Sequence, residues 1–194
     1  NNICVNAKLS SHEISCLTEG EKNLILLSLV EEINLSRNDI KKSNSKDLDN
    51  LKSSNNFNDA FVDRLLIDDS RIDSMISSIK EIIQFKDPVG EINGIKEMPS
   101  GIKVGKMSMP LGVIAMIYES RPNVTIDASA LCIKSGNSII LRGGSESIFT
   151  NIVLAECIKN ALLKNNRNAN VVQLIDNTDR DIVNELIYNI PICI

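Results

Sequence analysis

Residues 109–147 read MPLGVIAMIYESRPNVTIDASALCIKSGNSIILRGGSES, and their pattern decides the fold. Pro110-Leu111-Gly112 opens an apolar run over residues 113–117. That run empties into a polar turn, Tyr118-Glu119-Ser120-Arg121-Pro122-Asn123. An apolar-faced helix follows until Lys134-Ser135-Gly136-Asn137 stops it. A second apolar run, residues 138–141, empties into Arg142-Gly143-Gly144-Ser145. The unusual polar residues and the glycines therefore collect beyond the carboxyl ends of two strands, where open α/β sheets bind their ligands.

Outward from this stretch, short apolar strands over 112–117, 138–142 and 171–175 alternate with helices over 124–135, 146–164 and 179–188. That alternation predicts parallel βαβ units with both sheet faces covered. The fold class is α/β: a Rossmann-like parallel sheet core over 112–194 behind a helical N-terminal lead-in over 1–90. Residues 91–111 carry the turn signals Asn93-Gly94 and Pro99-Ser100-Gly101, and read as short antiparallel strands connecting the two. Within the lead-in, Ile72, Met75, Ile76, Ile79, Ile82 and Ile83 trace one face of a helix over 70–85, capped by Asp69 or Ser70. It stops before Asp87-Pro88. A Ser/Asn/Lys/Asp-rich stretch over 36–58 reads as an exposed helix and loops, with Ile40, Leu48 and Leu51 as its apolar anchors.

The chain of 194 residues is 43% hydrophobic and 24% charged, enough for one well-buried core. A net charge of −4 without a basic run argues against nucleic-acid binding, and 3% aromatics without Trp leave no base-stacking platform. No apolar stretch approaches the ~20 residues of a membrane span, so neither membrane nor nucleic acid is an expected partner. The five cysteines (Cys4, Cys16, Cys132, Cys157 and Cys193) are scattered without a CxxC or Cys/His pairing, which fits a reducing cytoplasm and no metal site. The start at Asn1 and the uncapped apolar run over 190–194 read as the edges of a fragment.

Two turns carry the candidate chemistry. In the first, Pro122 biases Arg121 toward extended backbone and aims Glu119, Arg121 and Asn123 off the strand end. The alternative is an Arg121 that pairs with Glu119 or Asp127 on the surface, worth little. In the second, Arg142, Gly143, Gly144, Ser145 and Glu146 precede a helix. Glycines let backbone amides approach an anion, and the helix N-terminus adds positive character. Arg142 is placed to meet a ribose 2′-phosphate. The alternative is a tight turn with a solvated arginine, since Gly143-Gly144 is no GxGxxG fingerprint. Beyond the third strand, Asp176-Asn177-Thr178-Asp179 reads as a helix cap. His12, Cys132 and Cys157 read as structural.

Residues 110–114 (PLGVI), 117–125 (IYESRPNVT), 131–137 (LCIKSGN) and 140–146 (ILRGGSE) closely resemble gamma-glutamyl phosphate reductase, of the aldehyde dehydrogenase superfamily. Residues 62–65 (VDRL), 87–90 (DPVG) and 172–176 (VQLID) agree. The resemblance implies an aldehyde dehydrogenase-like fold, truncated, and NADPH-dependent reduction of L-glutamyl 5-phosphate to the semialdehyde with release of phosphate, a step of proline biosynthesis in the cytoplasm. It implies NADP(H) as cofactor and Asn123 as the side-chain oxyanion donor. It also places Arg142, Gly144 and Ser145 where the superfamily binds adenine ribose. Glu119 and Arg121 are assigned to the substrate, Arg121 near the acyl phosphate on charge and position. As partner arrangements, a homo-oligomer and an association with glutamate 5-kinase are open. The family's nucleophilic cysteine belongs to a later Ser-Thr-Cys-Asn segment that the chain does not reach. The isolated fragment, with its catalytic domain absent, is therefore expected to be inactive. The alternative is a non-catalytic nucleotide-binding or scaffold fragment.

Overall fold

The computed structural model describes residues 2–53, 59–177 and 181–189. Among the described residues the lead-in is five helices: α1 (Asn2–Ser15), α2 (Glu19–Leu35), α3 (Arg37–Lys52), α4 (Asp59–Leu65) and α5 (Asp69–Gln84). A two-stranded antiparallel ribbon follows, β1 (Ile92–Glu97) with β2 (Lys103–Met107). Then come β3 (Val113–Ile117), α6 (Asn123–Lys134), β4 (Ser138–Arg142), α7 (Ile148–Lys164), β5 (Val172–Leu174) and α8 (Asp181–Asn189). β3, β4 and β5 form a parallel sheet in that order, with Val113 opposite Ser138 and Ile139 opposite Val172. The α/β class and the parallel βαβ core expected from the sequence are present.

Alternation along β4 assigns its two faces. Ile139 and Leu141 pack into a core with Ile126 and Ile133 of α6 and with Leu154 and Ile158 of α7. Ile140 turns the other way, to Cys4 and Ala7 of α1 and Leu186 of α8. The first core continues without a break into α2 and α5 through Ile25, Leu29, Ile72 and Ile79. Lead-in and sheet therefore share one hydrophobic interior.

Local chemistry explains the element boundaries. A capping box starts α2: Thr18 Oγ1 accepts from the Glu21 amide (3.4 Å), and Glu21 Oε2 accepts from the Thr18 amide (2.8 Å). The apolar stripe of α5 lies as predicted, but its cap is Asp68, whose Oδ1 accepts from the Arg71 amide at 2.8 Å. Asp69 and Ser70 are already helical. Gly136 ends α6 at φ +73°, where a Cβ would be strained, and the Asn137 amide reaches back to Cys132 O at 2.8 Å. Asn137 Oδ1 then accepts from the Gly112 amide (2.9 Å), which ties the helix end to the start of β3.

The stretch over 36–58 corrects the expectation of a merely exposed helix. α3 buries Ile40, Asn44, Asp47 and Leu51 at helical spacing, while Leu48 is only half-buried. Two of those four are polar, so the face carries little apolar signal. Residues 54–58 lie outside the described residues. Two buried lysines lock the layers: Lys22 pairs with Asp87, and Lys134 Nζ donates to Glu19 Oε1 (3.1 Å), Asn23 Oδ1 (2.8 Å) and Ile83 O (3.0 Å).

Candidate functional site

The carboxyl ends of β3 and β4 open into a cleft of about 450 Å³, lined by Tyr118, Glu119, Ser120, Arg142, Gly144 and Glu146, with Phe61 of α4 closing one side. Pairing brings the two turns together, since Ile117 lies opposite Arg142 and the Tyr118 amide donates to Arg142 O at 3.0 Å. Ser120 Oγ donates to Glu146 Oε2 at 2.9 Å and links them again. Arg142 Nη1 donates to Gly143 O at 2.9 Å, holding the guanidinium at the strand end.

A buried hydrogen-bond chain sets this geometry from below. The Tyr118 hydroxyl meets Thr125 Oγ1 at 2.6 Å, and Thr125 Oγ1 donates to Asn151 Oδ1 at 3.0 Å. Asn151 Nδ2 donates to Ser147 Oγ (3.0 Å), which donates to Gly144 O (3.3 Å). With Thr125's proton given to Asn151, Tyr118 must donate to Thr125, so the chain has one direction. Burial raises the Tyr118 pKa against the pull of that bond.

The glycines of the second turn are explained by this packing. A Cβ at Gly143 would collide with Asn151 Nδ2 and press on the Tyr118 ring at 3.1 Å. One at Gly144 would meet Ser120 Oγ at 2.7 Å and Glu146 Oε2 at 2.9 Å. Both positions need glycine so that one turn can lie on the other.

The α7 N-terminus differs from the expectation. Two of its amides, those of Phe149 and Thr150, are already taken by a carboxylate of the chain itself, Asp47 of α3. Asp47 Oδ1 accepts from the Phe149 amide (3.2 Å), and Oδ2 from the Thr150 amide (2.8 Å) and hydroxyl (2.5 Å). Burial pushes this carboxyl above its usual range, opposed by those donors. Asn44 completes the joint: its Nδ2 donates to Leu65 O (2.7 Å) and Thr150 Oγ1 (3.3 Å), and its Oδ1 accepts from the Ile67 amide (2.8 Å). Asn44 and Asp47 escaped the sequence-based assignment, although their spacing from Ile40 and Leu51 is the helical signal that marks a buried face.

The first turn serves two cavities. Glu119 faces the cleft just described, with Arg142, Gly144 and Glu146. Asn123, the first residue of α6, lines a separate cavity of about 260 Å³ against α5. Asn123 Nδ2 donates one hydrogen to Asp127 Oδ2 at 3.2 Å, and its second amide hydrogen remains for another acceptor. Arg121 is exposed, lines neither cavity and forms no ion pair among the described residues, so the surface pairing with Glu119 or Asp127 is not formed. Ser145 is exposed at the start of a short 3-10 turn. Asp176 is exposed beside Asn177, and Thr178, Asp179, Pro191 and Cys193 lie outside the described residues. Among the described residues no cysteine lines either cavity: Cys4, Cys132 and Cys157 are buried elsewhere, and Cys16 is exposed. No described helix is long and apolar enough to cross a membrane.

Comparison with known proteins adds an independent finding. No family model matches the sequence. A curated gamma-glutamyl phosphate reductase from Ruthia magnifica subsp. Calyptogena magnifica is 46% identical over 182 residues, which is 94% of this chain and 43% of the relative. The crystal structure of gamma-glutamyl phosphate reductase from Thermotoga maritima superposes with a TM-score of 0.91 at 34% identity, over 96% of this chain and 45% of that one. A putative aldehyde dehydrogenase from Bacillus subtilis gives a TM-score of 0.71 at 17% identity, over 93% of this chain and 36% of that one; it shows the fold alone. The chain thus spans less than half the length of the relatives it matches. Over that span, by sequence and by structure, it is a homologue of gamma-glutamyl phosphate reductase with the aldehyde dehydrogenase fold.

Proposed function

We propose that this chain supplies the cofactor cleft and the oxyanion donor of an NADPH-dependent reductase that converts L-glutamyl 5-phosphate to L-glutamate 5-semialdehyde and phosphate. The observation that carries the proposal is the convergence of Arg142 with Glu119 and Glu146 at paired strand ends. A cation beside carboxylates suits a phosphorylated ribose: the guanidinium takes the 2′-phosphate, and the carboxylates accept from hydroxyls. Gly143, Gly144 and Ser145 shape the rim, and Phe61 offers an apolar wall. NADPH, when bound, supplies the hydride.

Asn123 is assigned the developing oxyanion, through the amide hydrogen that Asp127 does not take. Arg121, exposed in the turn that also carries Glu119 and Asn123, is assigned the acyl phosphate by charge. The nucleophilic cysteine is assigned to the part of the relatives' length that this chain does not span. Homo-oligomer formation, association with glutamate 5-kinase and a cytoplasmic setting remain part of the proposal. The direct test is phosphate-dependent oxidation of L-glutamate 5-semialdehyde by the whole protein, followed as NADPH formed. Turnover that requires phosphate and prefers NADP+ supports the proposal, and a folded protein without turnover overturns it. Arg121→Ala is expected to raise the KM for phosphate in that assay; an unchanged KM removes Arg121 from the site.

A further inference from the structure

We infer that the cavity between α5 and the start of α6 reads the amino-acid end of the substrate, Asp127 binding the α-ammonium and Arg64 the α-carboxylate. The inference rests on the reductase proposal above, which makes the substrate a zwitterion with an acyl group at its far end. The cavity measures about 260 Å³, room for an amino acid but small for a nucleotide. Its wall joins opposite charges, Arg64 and Arg71 with Asp127, to the apolar Met75 and Pro122 and to Asn123. A site for an inorganic anion would have no use for the carboxylate. A site for a simple aldehyde would have no use for either charge.

The bonding state of each charged group narrows the assignment. Arg71 is already spent: Nη2 donates to Asp63 Oδ1 at 2.7 Å and Nη1 to Leu66 O at 2.9 Å. Arg64, at the end of α4, is exposed and forms no ion pair among the described residues. Asp127 is half-buried, with Oδ2 held by Asn123 and Oδ1 buried without a hydrogen-bond partner among the described residues. A buried carboxylate oxygen without a donor is costly, and an ammonium supplies three. Burial also holds this carboxyl above its usual range, a cost that a bound cation removes. Asn123 is assigned the acyl carbon, Met75 and Pro122 the two methylenes, and Asp127 and Arg64 the charged substituents of the α-carbon.

Three aldehydes test this with the whole protein, NADP+ and phosphate, each oxidised to its acyl phosphate while NADP+ is reduced. They are L-glutamate 5-semialdehyde, 5-oxopentanoate, which lacks the α-amino group, and pentanal, which lacks both charges. Asp127→Asn should cut the preference for the semialdehyde over 5-oxopentanoate by roughly ten- to hundredfold, the value of one charge-assisted bond, through KM more than kcat. Arg64→Ala should cut the preference for 5-oxopentanoate over pentanal by a similar factor, and Arg64→Lys should restore part of it. Preferences that match the unsubstituted protein in all three variants overturn the inference while the reductase proposal stands. So does uniform loss on all three aldehydes in both Asp127→Asn and Arg64→Lys. An unsubstituted protein that oxidises none of them overturns the reductase proposal, and this inference with it.

Discussion

At position 47, one carboxylate from α3 takes two amides and a hydroxyl at the start of α7. Because it is buried, its loss strands donors that water cannot reach, and Asp47→Ala should cost about 2 kcal/mol in urea or thermal unfolding. Its titration has a definite sign. The folded protein holds the Asp47 proton more tightly than the unfolded chain does, because burial raises its pKa. The stability this contributes is fully present below the ordinary carboxylate pKa and is lost as pH rises through the raised value. Asp47→Asn should therefore flatten the acid side of the stability–pH curve, and an unchanged slope would remove Asp47 from that account. The thiols follow the same logic. Burial pushes Cys132 up to about 12 and raises Cys157, whereas Cys16 is exposed. Peptide mapping after brief alkylation of the native protein should find Cys16 modified and Cys132 and Cys157 intact. Rapid labelling of Cys132 would contradict its burial.

Elements show where sequence patterns speak and where they fall silent. The stripe of α5 was legible because six aliphatic or thioether side chains recur on one face; five of them are buried and Ile83 is half-buried. The stripe of α3 was not, because Asn44 and Asp47 fill the middle of it and their partners lie at the end of α4, in the turn before α5 and, over a hundred residues away, on α7. Hydrophobic periodicity cannot report a face buried by hydrogen bonds. At the start of α2 Thr18 and Glu21 form a capping box, and Thr18→Ala should cost about 1 kcal/mol in unfolding experiments. The turn after β4 is less forgiving. Gly143→Ala must push Asn151 and the Tyr118 ring apart, so it should lower stability and open the cleft together. A Gly143→Ala protein with an unchanged melting temperature would show that the turn can shift without cost.

For the molecule as a whole, the sheet was readable strand by strand, because β3 and β4 are continuous apolar runs bounded by polar turns. Their ends open into the cleft that is proposed for the cofactor. The division of the first turn between two cavities was hidden. Glu119 and Asn123 are four residues apart and look like one constellation in sequence, yet α6 begins immediately after Pro122 and carries Asn123 over to the α5 side. The Asp47 cap was hidden for a related reason, since a helix N-terminus after a glycine turn reads as an anion site until the fold shows which anion it holds. The glycines, in turn, are accounted for by side chains from the first turn and from α7. The charge proposed to read the nucleotide is that of Arg142 beside its carboxylate neighbours, and that is the central claim. The most direct measurement is nicotinamide fluorescence titration of the purified chain with NADPH and with NADH, beside an Arg142→Ala variant. The account predicts saturable binding that favours NADPH, with the preference lost in the variant. A folded chain that binds neither nucleotide, or binds both equally with Arg142 present or replaced, would contradict it.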